Sequence, residues 1–318
     1  MSIRIVGDIG GTNARFALRG PAGTLTNFRT WATTELLDLA ATLNRYQQSI
    51  DIEASEAVIA VAGPVHADVV ELTNSGLKFS QQKLSNSLGL RKLAVINDLE
   101  ALALGVPNLE AADLQSIGPP AAPHSSAPRV VLGVGTGFGV AGLVHSVERW
   151  LAIGGEGGHS DFAPANKREA ELLALLAPRF GDHLSWERLL CGPGLEELHK
   201  ALAELDGRPR PELSAAQIAD NARREPDSHC RSSVDQMFAL LASAAGNLAL
   251  IYGAFGGVYI GGGVATKLLD LANREAFTER FINKGRFASY LSRVPVSVIL
   301  RPDTALLGAA NYHAPTPP

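Results

Sequence analysis

The chain holds 318 residues, and at roughly 150 residues per domain that length accommodates two domains and a sizeable core, which excludes a disulfide- or metal-stapled miniprotein. Hydrophobic residues make up 46% and charged residues 19%, the balance of a folded, water-soluble chain, so disordered, collagen-like and coiled-coil compositions are excluded. Lys+Arg 28 against Asp+Glu 32 leaves a net charge of −4 with a pI near 6.1, not the basic footprint of a nucleic-acid binder, and small molecules are the expected ligands.

The opening MSIRIVGDIGG enters a strand-like segment over 3–6 without the charged and long apolar regions of a signal peptide, so no export is expected. GDIGGTN then turns and 14–18 returns as a strand, which makes the first element a glycine hairpin. Apolar spacing predicts helices over 35–49 and 81–88, a strand over 57–62 ending at Gly63-Pro64, and a strand over 93–96 opening into a helix over 98–104. Strands alternating with helices predict α/β layers. Residues 118–128 hold four prolines among Ser and Ala, the composition of an exposed connection near a domain boundary.

Directly afterwards VVLGVGTGFGVAGLV at 130–144 repeats the strand, glycine turn and strand of the opening. Helices are predicted over 167–176, 195–205 and 237–250, with Pro-bearing loops at 206–211 and 224–230. A strand over 258–260 runs into Gly261-Gly262-Gly263 and a helix to 271, followed by a strand over 296–300 and a helix over 304–312 before a Pro-rich tail. No charged residue falls between Gln236 and Thr266, yet Ser243, Asn247, Gly253, Gly256 and Gly257 interrupt that stretch, so it is predicted as a helix and a strand rather than a membrane span. Cys191 and Cys230 form no CxxC and the histidines no HExxH, which argues against structural zinc and suits a reducing cytoplasm.

Glycine lets backbone N–H groups approach an anion closely, and three Gly-rich turns are available to phosphates. A Walker A loop is excluded because the chain contains no Gly-Lys dipeptide. A dinucleotide fingerprint is disfavoured because GDIGGT and GVGTGFG lead into strand patterns, whereas only 261–263 leads into a helix. Asn97-Asp98 stands where a strand meets a helix. Asp98 therefore fits two roles, a helix N-cap and a general base at the carboxyl end of a strand, and the two are compatible. GGEGGHSD at 154–161 has a Glu-x-x-His spacing, but the glycines oppose a metal-binding helix and no second copy exists. As a mobile loop, Glu156 and His159 suit a polyol's hydroxyls, although a polar glycine loop without function has the same composition. Glu187, by itself, is equally a first-turn acid.

These blocks together resemble the bacterial ATP-dependent glucokinases: GDIGGTNARFAL at 7–18, VINDLEALALG at 95–105, GVGTGFGVAGLV at 133–144, GGEGGHSDFAP at 154–164, ERLLCGPGLEEL at 187–198 and YIGGGV at 259–264. The likeness runs in order over essentially the whole chain. It implies the two-domain hexokinase and actin-like ATPase (ribonuclease H-like) fold, with a small α/β domain from 1–110 plus 302–318, a larger α+β domain from 111–301, and a cleft between them. It implies that Asp98 is the catalytic base for the sugar 6-hydroxyl and that Asn97, Asp98, Glu156, His159 and Glu187 bind glucose. For ATP it implies Gly7, Asp8, Ile9, Gly10, Gly11 and Thr12 at the first phosphate turn, Gly135, Thr136 and Gly137 at the second, and Gly261, Gly262 and Gly263 beside the adenosine, with Asp8 near Mg2+ through water. The related repressor/ORF/kinase branch carries a cysteine-rich zinc motif that is absent here. The resemblance further implies a cytoplasmic homodimer that makes glucose 6-phosphate and ADP at the start of glycolysis, with no membrane or nucleic-acid partner. Kinases for another hexose or an amino sugar, and a sugar sensor without turnover, are the alternatives; the sensor should lack the base.

Overall fold

The computed structural model describes residues 3–313 apart from 21–22, 66, 73–75, 148 and 210–211. The Pro-rich tail and part of the 206–211 loop lie outside the described residues. The chain forms two compact units, Met1–Glu110 with Ser146–Gly154 and Arg301–Pro318, and Ala111–His145 with Gly155–Leu300. Ser146–Gly154, which the family resemblance places in the larger domain, groups with the first unit. Gly154 lies directly against Glu100 there, and no local pattern announces so long-range a contact. The Pro-rich 118–128 segment lies just past the division at Glu110/Ala111: Ile117 and Gly118 donate their N–H groups to the Val296 carbonyl, inside the second unit.

In the first unit β1 (Arg4–Ile9) and β2 (Asn13–Arg19) pair antiparallel. GDI at 7–9 continues the strand, so only Gly10, Gly11 and Thr12 make the turn. β3 (Leu25–Ala32) extends the hairpin, and its largely exposed residues left no alternation to read. α1 (Leu39–Ile50) starts later than its apolar spacing predicts because Asp38 caps it, accepting from the Ala40 and Ala41 N–H groups. β4 (Glu56–Val61) lies parallel to β1. β5 (Val69–Glu71) and β6 (Lys78–Ser80) make a small ribbon before α2 (Gln81–Ser87), and β7 (Lys92–Asn97) then lies parallel to β4 and leads into α3 (Asp98–Gly105). The sheet order is β3-β2-β1-β4-β7. Alternate strand residues feed two cores, Ile5, Ile9 and Ile59 with Leu43 and Tyr46 of α1 on one face, and Val6, Ala60 and Ile96 with Leu306 and Ala309 of the last helix on the other.

The second unit begins with β8 (Leu114–Ser116) and the hairpin β9 (Arg129–Val134) and β10 (Phe138–His145). β11 (Trp150–Gly155) belongs to the first unit except for its last residue, and the second unit resumes with α4 (Lys167–Leu176), α5 (Gly192–Leu205), α6 (Ala215–Arg224) and α7 (His229–Tyr252). α5 and α7 start ahead of their predicted limits because Cys191 and Ser228 cap them. β12 (Val258–Gly261) runs parallel to β9 and to β13, and α8 (Gly263–Leu268), α9 (Arg274–Ile282) and α10 (Ala288–Leu291) separate it in sequence from β13 (Val296–Ile299). β8 closes that edge antiparallel, so β10-β9-β12-β13-β8 lie side by side. α7 is long and apolar enough to cross a membrane, but 61% of its most apolar window is buried inside the protein, as befits a core helix. α11 (Thr304–Asn311) returns to the first unit and packs on α3, where Gly105 meets the Thr304 carbonyl and Gly308 that of Ala101.

Candidate active site

β1, β4 and β7 are parallel, and their register sets Ile9, Val61 and Asn97 in one row at the carboxyl edge of the sheet. The first turn leaves β1 and Asp98 follows β7 at that edge, two strand spacings apart, roughly 10 Å. Ligand crevices of α/β sheets form outside this edge. Asn97, not Asp98, is the N-cap of α3: its Oδ1 accepts from Leu99 N at 2.8 Å, and its Nδ2 donates to the Gly63 carbonyl at 3.2 Å. Asp98 occupies the first helical position, half-buried, with Oδ1 also accepting from Leu99 N at 2.9 Å. The close packing of α3 on α11 holds that helix, and so the carboxylate, in place.

Asp8 stands opposite Arg15 in the β1–β2 ladder, and the two side chains approach to 3.6 Å. Burial pushes the Asp8 carboxyl up from its ordinary range, and Arg15 pulls it part of the way back. Thr33 fixes the turn from outside, its hydroxyl donating to the Gly10 carbonyl at 2.8 Å and its N–H to that of Thr12 at 2.9 Å. Gly7 and the side chain of Ile9 face the core. A Cβ at Gly7 would stand 2.9 Å from Ile59 Cδ1, so core packing alone demands that glycine. Mg2+ keeps several waters and takes few protein ligands besides substrate phosphates. One half-buried carboxylate beside a glycine turn fits that donor set, and no cluster of three His, Cys, Asp or Glu occurs among the described residues.

In the second unit Glu156 leads into a short helical turn at 157–159. The glycines of this loop allow close approach: Gly158 is buried against the Phe138 carbonyl, where any Cβ would overlap, and Gly157 rests on Val140. Glu156 and His159 project outward, exposed by 65% and 56%, while Glu187 is 31% exposed. His159 Nε2 lies 3.9 Å from Glu156 Oε2 and 3.9 Å from Glu187 Oε1. That gap is too long for a direct hydrogen bond, but a hydroxyl oxygen about 2.8 Å from each partner can bridge it. Glu187 Oε2 accepts from Phe138 N at 3.0 Å. The turn Gly135-Thr136-Gly137 is also tied by Gly192 N, which donates to the Gly135 carbonyl at 3.0 Å. Gly262, at φ +100°, backs onto the Val134 carbonyl, which makes the 261–263 turn a neighbour of the 135–137 turn.

The expected residues thus form two groups. Gly10, Gly11 and Thr12 share an edge with Asp8, Asn97 and Asp98, while Glu156, His159, Glu187 and the two later glycine turns gather in the other unit. No sequence motif marks Arg15, Thr33 or Phe138 as part of these groups, and Cys191 stands out in the sequence only as a thiol without a CxxC partner. Strand register would have revealed Arg15 opposite Asp8; Thr33 and Phe138 act through backbone contacts that leave no motif.

A family model described as glucokinase matches residues 5–316. The chain belongs to the glucokinase family. It is 41% identical over 312 residues to the glucokinase of Chromobacterium violaceum, covering 98% of this chain and 89% of that protein, and 44% identical over 314 residues to that of Aromatoleum aromaticum, covering 97% and 93%. Among solved structures, glucokinase from an Antarctic psychrotroph matches with a TM-score of 0.88 at 35% identity over 98% of both chains. The family's fold is the two-domain actin-like ATPase architecture of sugar kinases, and its members are ATP-dependent hexose kinases.

Proposed function

We propose that the chain transfers the γ-phosphoryl group of ATP to the 6-hydroxyl of glucose, with Asp98 as general base and Asn97, Asp98, Glu156, His159 and Glu187 as sugar ligands. The observation that carries this reading is the placement of the first phosphate turn and Asp98 on one carboxyl edge, separated by β4 alone. The 6-hydroxyl donates its proton to the Asp98 carboxylate as its oxygen bonds to the γ-phosphorus and the bond to the β,γ-bridging oxygen breaks, leaving ADP. Asn97 caps α3 and so sets the direction of the base. Backbone N–H groups at 10–12 and 135–137 receive phosphate oxygens, and 261–263 lies by the adenosine. Asp8 would hold Mg2+ through water, and that ion supplies charge neutralisation on the phosphates when bound. Glu156 and Glu187 accept from sugar hydroxyls, and His159 donates or accepts between them.

Two buried, unpaired cysteines suit the cytoplasm, and a homodimer is the assembly the family resemblance implies. A coupled assay of ADP formation over glucose, mannose, fructose, galactose, glucosamine and N-acetylglucosamine tests the substrate. Glucose should give the highest kcat/KM. A tenfold preference for another sugar would replace glucose, and ATP turnover indifferent to any sugar would remove the kinase reading.

A further inference from the structure

We propose that Glu187 is a positioning residue for the second phosphate turn as well as a ligand of the sugar, an inference that rests on the sugar site described above. Its carboxylate has two neighbours on opposite sides. Oε1 faces His159 Nε2 at 3.9 Å, whereas Oε2 accepts from the N–H of Phe138, the residue that directly follows Gly135-Thr136-Gly137. The approach is tight, since a Cβ on Gly137 would stand 2.6 Å from Oε2. Sheltered from water, the Phe138 N–H is costly to leave without an acceptor.

The Glu187 backbone is tied to the same turn. The Cys191 thiol donates to the Glu187 carbonyl at 3.0 Å, and Gly194 N donates to the Cys191 sulfur at 3.3 Å. Burial pushes the Cys191 thiol up to about 11, so it keeps the proton it donates. Gly192 N then reaches the Gly135 carbonyl. Residues 135–138, 187 and 191–192 thus close a ring of hydrogen bonds. Sequence explains why the ring is needed: Gly133, Gly135, Thr136, Gly137 and Gly139 offer no charged side chain to hold this turn in place. Phe138 also carries the sugar loop, because Gly158 is seated on its carbonyl. Any movement of Glu187 therefore shifts the amides that meet phosphate, and any movement of the turn shifts the carboxylate that meets sugar.

Calorimetry on the full chain with each ligand alone tests this, using glucose without nucleotide and the magnesium complex of AMPPNP without sugar. Glu187→Ala should raise the AMPPNP Kd about tenfold even with no sugar present, the loss expected for one hydrogen bond to a charged group. Glu187→Gln keeps an oxygen for Phe138 N–H, so it should return the AMPPNP Kd to within about twofold of wild type while glucose binding stays about tenfold weaker. Gly137→Ala, a change in the nucleotide turn, should weaken glucose about tenfold in the absence of nucleotide. A wild-type AMPPNP Kd in Glu187→Ala, or a wild-type glucose Kd in Gly137→Ala, overturns the proposal. Failure of the sugar site itself looks different: Glu156→Gln and Glu187→Gln would both bind glucose as wild type does.

Discussion

The two glycine hairpins share a topology and differ in what holds them. In each unit a hairpin is followed by two strands parallel to its first member, giving β2-β1-β4-β7 in one and β10-β9-β12-β13 in the other. Two residues before its turn the first hairpin carries Asp8, paired across the ladder with Arg15; at the same place the second carries Gly133, paired with Gly139. The first turn is pinned by Thr33, the second by Glu187 and Gly192. β7 ends in Asn97-Asp98 at a helix start, whereas Ile299 of β13 is followed by Leu300. The repeated backbone makes two glycine turns of the same topology, and the side chains around them differ between the two copies.

The strongest way to break this asymmetry is Asp98→Ala, which should lower kcat by roughly two to four orders of magnitude while AMPPNP still binds. Near-normal turnover in a variant with native circular dichroism would return Asp98 to a structural role at the start of α3. Next in size, Asp8→Asn should cut kcat/KM for MgATP about ten- to a hundredfold, the range for losing a group that orients a metal's surroundings, and excess Mg2+ should recover part of it. A variant insensitive to Mg2+ concentration would uncouple Asp8 from the ion.

Smaller effects come from the glycines themselves. Gly7→Ala pushes into Ile59 and Phe16 and should destabilise the fold by about 1–3 kcal/mol, whereas Gly135→Ala meets nothing within 4 Å and should leave the melting temperature within about a degree of wild type. Equal melting shifts in scanning calorimetry would contradict the contrast between a core glycine and a turn glycine. The subtlest test concerns pH. Burial raises the Asp8 carboxyl in the folded state, so the folded chain holds that proton more tightly than the unfolded one, and stability is lost as pH rises through the folded value. Asp8→Asn should therefore raise the melting temperature of the ligand-free protein at pH 7, and the gain should shrink as pH falls toward the ordinary carboxylate range near ~3.9. No gain at pH 7 would mean that Arg15 fully compensates the buried charge, and a gain independent of pH would mean that ionisation of Asp8 is not its cause.

Much of this architecture is written locally. Strong apolar runs such as IRIV and VVLGV, glycine turns and the Asn97-Asp98 junction depend on neighbours in sequence, and they announce α/β layers, a repeated hairpin and the blocks that resemble glucokinases. Exposed β3 and polar α6 left weaker patterns, because pairing partners and packing faces far along the chain stabilise them. Tertiary structure alone decided three things. It gave the cap of α3 to Asn97, because backbone geometry at the end of β7 places that side chain over Leu99 N. It seated the 154–159 loop on Phe138, since glycine composition serves a mobile loop and a close approach equally well. And it split the Glu187 carboxylate between His159 and the Phe138 N–H, a contact across 49 residues that no spacing rule encodes, because the direction of a side chain is set only when the elements on both sides of it have packed.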